Sequence, residues 1–306
     1  MSDAELTSPL RGIIPPMVTP LLDSDTLDVE GVGRLVEHRL AGGVGGLFIM
    51  GTTGEGPSLP HRLRRELIEQ TCRIVAERTP VLVGVTDTSP SESLSLAAKA
   101  ADCGAAAIVV APPCYFPASP ADILEYLRHL AAASPLPAFL YNIPSHTKLA
   151  FSPETVRAAA DLPGIVGLKD SSGDIENFRQ FQAALADKPD FSLLVGPDKL
   201  TAPAVATGAH GGVNSGANLF PELYVSLYQA ALAGDWEKAD ALQEKVVQIY
   251  DTIYHAVEDP SSYVKGLKCA LSCMGICSDT MARPLRRLTD PQRQIIAENL
   301  KQIMAE

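Results

Sequence analysis

The chain has 306 residues, 46 % of them hydrophobic, with a net charge of −11 and a sequence pI of about 5.0. Such a length and apolar content allow one large α/β domain or two smaller ones. The acidic balance, with no long basic run, argues against nucleic acid and anionic membranes as partners. No run of about eighteen apolar residues and no hydrophobic signal core in MSDAELTSPLRG appear, so a cytoplasmic protein is expected.

In chain order, eight short apolar runs end in Gly, Pro or polar residues. They are GIIPPMVTP (12–20), GGLFIM (45–50), VLVGV (81–85), AAIVVAPP (106–113), AFLYNI (138–143), GIVGLKD (164–170), FSLLVGPD (191–198) and GGVNSG (211–216). Continuous apolarity, without polar residues at alternate positions, marks strands covered on both faces, as in a parallel sheet. Helical patterns separate the runs. Ser91 precedes one, and Ser152 stands before Pro153 and Glu154 as an N-cap with Pro at the first helical position. Eight such units predict a (β/α)8 TIM barrel over residues 1–221. An open doubly wound sheet would carry a dinucleotide fingerprint near its first strand, and none is present.

From residue 222 no strand is predicted, and helical patterns cover 222–258, 262–277 and 289–304. These read as a C-terminal helical extension (222–306) devoted to packing or subunit contact. Cys269, Cys273 and Cys277 repeat every four residues on it and lack the spacing of a metal site, so small buried thiols are expected. The six histidines show no close ligand spacing either, and no metal is expected.

In a barrel the chemistry lies at the C-terminal ends of the strands. Lys169 ends the run IVGLK. Burial strips solvation from an ammonium and favours the neutral, nucleophilic amine that imine formation with a ketone requires. A lysine snorkelling to the barrel mouth, or pairing with Asp170, is an equal reading of that residue alone. Tyr141 ends the neighbouring run and would bring a phenol to the amine as a proton shuttle. The loop GTTGEG, Gly51 to Gly56, lacks the lysine of a phosphate loop and has the wrong glycine spacing for a dinucleotide. Thr52 and Thr53 suit a carboxylate, or alternatively a tight turn capped by threonine hydroxyls. Asn214 and Ser215, toward the end of the last run, are candidates for binding hydroxyls or for a turn.

GTTGEG, YNIPS, GLKDSSGD and GGVNSGAN, in this order and spacing, resemble the dihydrodipicolinate synthase/N-acetylneuraminate lyase family of pyruvate-handling class I aldolases. The resemblance implies Lys169 as the Schiff-base lysine and Tyr141 as proton donor and acceptor. It implies Gly51, Thr53 and Val213 around the keto-acid carboxylate, and Thr52 with Tyr115 as a proton relay. That tyrosine would serve the partner subunit's site in a homo-oligomer built as a dimer of dimers. The implied substrates are pyruvate and an aldehyde, with no cofactor. Synthases of the family typically read YNxPxRT, whereas this chain reads YNIPSHT, with His146 in the substrate-binding position of the arginine. A histidine offers no bidentate fork to a second carboxylate. The expected activity is therefore a pyruvate aldolase acting on a 2-keto-3-deoxy sugar acid or a 4-hydroxy-2-oxoglutarate-type substrate. Alternatives are condensation of pyruvate with aspartate semialdehyde, a keto-deoxy acid dehydratase, a non-catalytic pyruvate-binding barrel, and a metal-dependent aldolase.

Overall fold

A computed structural model describes residues 6–305. Its first half carries strands β1 (Gly12–Ile13), β2 (Leu21–Asp23), β3 (Thr26–Leu27), β4 (Leu47–Ile49), β5 (Val81–Gly84) and β6 (Ala107–Val110). Helices α1 (Val29–Ala41), α2 (His61–Val75), α3 (Pro90–Asp102) and α4 (Pro120–Ala133) lie between and after them. Next come β7 (Ala138–Asn142), α5 (Pro144–Thr147), α6 (Pro153–Ala159), β8 (Ile165–Asp170), α7 (Ile175–Ala184), β9 (Ser192–Val195), α8 (Thr201–Ala206) and β10 (Gly211–Gly212). The chain ends in α9 (Pro221–Ala233), α10 (Trp236–Ile249), α11 (Ser262–Cys273) and α12 (Asp290–Ala305).

Eight strands pair in parallel in the order β1-β10-β9-β8-β7-β6-β5-β4, and β2 and β3 form a separate antiparallel hairpin. The ring closes between β1 and β4. There Pro16 bridges Phe48; the Phe48 amide donates to Pro15 O (3.0 Å) and Met17 N donates to Phe48 O (2.7 Å). The first predicted strand shrinks to Gly12–Ile13 because Pro15 and Pro16 have no amide proton for a ladder. Leu10, Ile14, Phe48, Leu82, Val109, Phe139 and Leu194 are buried together in the barrel interior. A larger apolar layer separates the strands from the helices.

Local signals set the helix ends. Ser152 Oγ accepts from Thr155 N (3.2 Å), the predicted cap. The helix expected after Ser91 starts earlier, at Pro90, whose fixed φ suits the first turn. The pattern over 222–258 breaks at Gly234, which sits at φ 73° and caps α9. The expected extension thus begins with the helix that follows the eighth strand. The cysteine stripe also breaks: α11 stops at Cys273, and Cys277 lies beyond the turn at Gly275. Cys269 and Cys277 are buried, but Cys273 is exposed. Among the described residues no helix is long and apolar enough to cross a membrane.

Candidate active site

The loop after β4 is shaped by close backbone approaches. Glu55 N donates to Thr52 O (3.0 Å) and Gly56 N to Gly51 O (3.1 Å). A Cβ on Gly56 would lie 2.1 Å from Met50 O, so only glycine fits there. Glu55, at φ 56°, turns away from the site. Its Oε1 accepts from Lys268 Nζ (2.6 Å) on α11, and its Oε2 accepts from Ala282 N (2.8 Å). The loop's acid is therefore spent on anchoring, which leaves Thr52 and Thr53 to face the cavity. Gly51 does not line it. This residue packs on the Phe48 ring, where a Cβ would approach Phe48 Cε1 to 2.6 Å.

Lys169 and Tyr141 are register partners across β8 and β7. Both are buried, at 5 % and 6 % exposure. Lys169 Nζ lies 4.0 Å from the centroid of the Tyr141 ring and 5.0 Å from that of Phe48. The two rings meet edge to face at 6.2 Å, and the Tyr141 hydroxyl stands 3.3 Å from Thr52 Oγ1. Strand alternation points the next pair the other way. Asp170 accepts from Asn142 Nδ2 (2.7 Å) and Ser172 Oγ (2.8 Å), and burial raises its pKa in spite of those donors. Among the described residues no carboxylate pairs with Lys169. The amine thus ends in a pocket of rings and hydroxyls, the setting in which it can act as a nucleophile.

Across the cavity a second cluster completes the site. Thr53 Oγ1 lies 3.1 Å from Ser215 Oγ, Ser215 Oγ lies 2.5 Å from the Tyr263 hydroxyl, and Tyr263 also contacts Thr53 Oγ1. Behind them Asp198 accepts from Ser215 N (2.9 Å), Gly216 N (3.1 Å), Tyr224 OH (2.9 Å) and Tyr254 OH (2.7 Å). Burial still raises the Asp198 pKa above the ordinary carboxylate value, and burial also holds Tyr224 and Tyr254 well above the ordinary phenol value. Val213 is buried in the cavity wall. Asn214 is not in that wall: its Nδ2 donates to Gly196 O (3.2 Å).

The cavity measures about 220 Å³. Tyr250, Tyr254, His255 and Tyr263 bring the C-terminal helices into its wall, partly through the π-helical turn Tyr250–Tyr254. His146 is exposed at the mouth with Nδ1 2.9 Å from Ser145 Oγ; desolvation, then nearby Lys148, lowers its pKa. Tyr115, like Gly51 and Asn214, is a predicted residue that the chain does not bring into the cavity. It is 76 % exposed, packs edge to face on Phe116 at 5.1 Å, and lines a separate groove.

Sequence reasoning missed Asp198, Tyr254 and Tyr263. Asp198 ends the run FSLLVGPD, so the strand-end rule that singles out Lys169 reaches it as well. Tyr263 carries no such signal, because it lies on a helix beyond the last strand and only the fold brings it to Thr53. Among the described residues no group of three or more His, Cys, Asp or Glu side chains is placed to hold a metal ion.

The dihydrodipicolinate synthetase family model matches residues 9–303. A 4-hydroxy-tetrahydrodipicolinate synthase from Cereibacter sphaeroides is 36 % identical over 287 residues, 93 % of this chain and 95 % of that protein. A dihydrodipicolinate synthase structure from Bacteroides thetaiotaomicron superposes with a TM-score of 0.95 at 54 % identity, covering 97 % of this chain and 99 % of that one. A prophage protein of the same family from E. coli K12, solved in complex with pyruvate, gives a TM-score of 0.91 at 29 % identity over 96 % of this chain and 98 % of that one.

Proposed function

This chain belongs to the dihydrodipicolinate synthetase family of carbon–carbon lyases, and from that premise we propose that Lys169 forms an imine with pyruvate. The observation that carries this reading is a buried lysine amine 4.0 Å from the ring of Tyr141, whose hydroxyl reaches Thr52.

The Lys169 amine attacks the C2 ketone of pyruvate. The carbinolamine then loses water, with Tyr141 relaying the proton to the departing oxygen. Loss of a C3 proton from the iminium gives an enamine, which attacks the carbonyl carbon of an aldehyde; hydrolysis frees the lysine. The same steps in reverse cleave a C3–C4 bond. Thr53 and its loop hold the carboxylate, with Val213 against the methyl end. Thr52 passes protons between Tyr141 and Tyr115 of a second copy of the chain, and the exposure of Tyr115 and Phe116 supports such a copy. The iminium withdraws electrons by itself, so this route draws on no separate cofactor.

The names of the relatives support aspartate semialdehyde as the aldehyde, ahead of the keto-deoxy acid cleavage expected from the sequence. One observation favours a second reading, cleavage or dehydration of a 2-keto-3-deoxy acid. His146 stands at the cavity mouth, where a substrate with a second carboxylate would call for an arginine.

Borohydride added with pyruvate traps an imine as a covalent adduct readable by intact mass. We expect one adduct on the wild-type chain and none on Lys169→Ala. An adduct that survives the substitution removes Lys169 from the reaction. Product formation from pyruvate plus aspartate semialdehyde, set against pyruvate release from a panel of keto-deoxy acids, then separates the two substrates.

A further inference from the structure

We propose that Tyr263 is a positioning residue for the keto-acid carboxylate, setting the Thr53 hydroxyl through a ring of three hydroxyls shared with Ser215. The inference rests on the reading of the cavity as a pyruvate site.

Each hydroxyl carries one proton and two lone pairs. Thr53 Oγ1, Ser215 Oγ and Tyr263 OH make all three pairwise contacts, two of them at 3.1 and 2.5 Å. A closed ring consumes all three protons, one per edge, and leaves none for a ligand. An arriving carboxylate accepts from Thr53, which breaks one edge and leaves an open chain, Tyr263 to Ser215 to Thr53 to the anion. No proton is lost, and only the Tyr263 oxygen, at the head of the chain, gives up its donor. Hydrogen bonds in such a chain strengthen one another, and the phenol, the most acidic of the three, sits at its head. Desolvation raises the Tyr263 pKa, so the phenol keeps the proton it donates.

The head of the chain is also mounted rigidly. Ser215 is pinned by its own amide to Asp198 (2.9 Å). Tyr263 packs edge to face on Tyr254 at 5.1 Å, and the Tyr254 hydroxyl reaches the same carboxylate at 2.7 Å. Two of the three hydroxyls thus share one buried anchor, while Thr53 belongs to the loop. A neutral ketone gives the ring no reason to open, whereas an anion does. Selection of a 2-keto acid over a simple ketone therefore depends on a helix that follows the barrel.

The test compares wild type with Tyr263→Phe, with Ser215→Ala as a second variant should the first fold poorly. For Tyr263→Phe we expect KM for pyruvate to rise about tenfold or more, as suits a lost bond in a chain ending on a charge. The kcat should stay within about threefold. Borohydride trapping of acetone, which has no carboxylate, should match wild type while trapping of pyruvate at low concentration falls. A KM within about twofold of wild type in a folded variant overturns the inference. So does an equal fall in acetone and pyruvate trapping, which marks a general disturbance of the barrel. A wild-type chain that traps neither compound defeats the imine reading itself, and the inference with it.

Discussion

Tyr141 offers its face to one partner and its hydroxyl to another: the ring meets Lys169 Nζ at 4.0 Å and the oxygen meets Thr52 at 3.3 Å. Tyr141→Phe keeps the face and deletes the hydroxyl proposed to carry the proton. Its kcat should fall by about 10²- to 10⁴-fold, with pyruvate still trapped on Lys169, as steady-state rates and intact mass would show. Gly56 tests a backbone requirement instead. A methyl there would sit 2.1 Å from Met50 O, so Gly56→Ala should cost about 1–3 kcal/mol in urea unfolding. That Lys169 and Tyr141 would meet in one cavity was legible in the sequence because each stands at the end of an apolar run, where a polar residue stands out. Gly51 and Asn214 show the limit of that rule. Both follow strands, but whether such a side chain faces the cavity or the wall depends on pleat direction and loop path. The Phe48 ring fills the space beside the first, and Gly196 captures the amide of the second.

Helix α11 holds the loop Gly51 to Gly56 from outside the barrel. Lys268 and Glu55 are both buried, at 0 % and 3 % side-chain exposure, and pair at 2.6 Å. Removing one member leaves the other charge stranded. Lys268→Met should therefore destabilise the fold by about 3–5 kcal/mol, and the double variant Glu55→Gln/Lys268→Met by less than the sum of the single changes. Denaturant unfolding of the four proteins closes that cycle. The sequence announced an extension but not this task, since the ion pair joins residues 213 positions apart. Strand and helix order was readable from apolar periodicity, whereas element lengths were set by single residues. Pro15 and Pro16 end β1 early, and Gly234 divides the long helical pattern.

At the scale of the molecule, the two ends of the barrel answer to different demands. The candidate site gathers where the strands end, while stability is exposed to titration near where they begin. Leu193 N donates to His210 Nδ1 (2.9 Å), which requires that nitrogen to be unprotonated. Desolvation, then Arg11, lowers the His210 pKa below 6.5. The unfolded chain thus binds the proton first. The stability His210 contributes is present above pH 6.5 and is lost as pH falls through its lowered folded value. Asp170 and Asp198 act in the opposite sense, because their raised values favour the folded state toward acid. Urea midpoints between pH 7.5 and 5 should fall for the wild type and fall less steeply for His210→Gln, so the difference reports on this one ring. The exposed Tyr115 and Phe116 predict self-association, and Tyr115→Ala with Phe116→Ala should shift the chain to a smaller species in sedimentation.

The ring of strands is joined at its last seam by Phe48, whose amide and carbonyl are both spent on the segment Pro15 to Met17. The same residue lays its ring beneath the Lys169 amine. On the proposed imine route an enamine is quenched by any stray proton, so its lifetime would depend on how seldom this joint opens and admits water. The stave that closes the cask is also the floor under its contents.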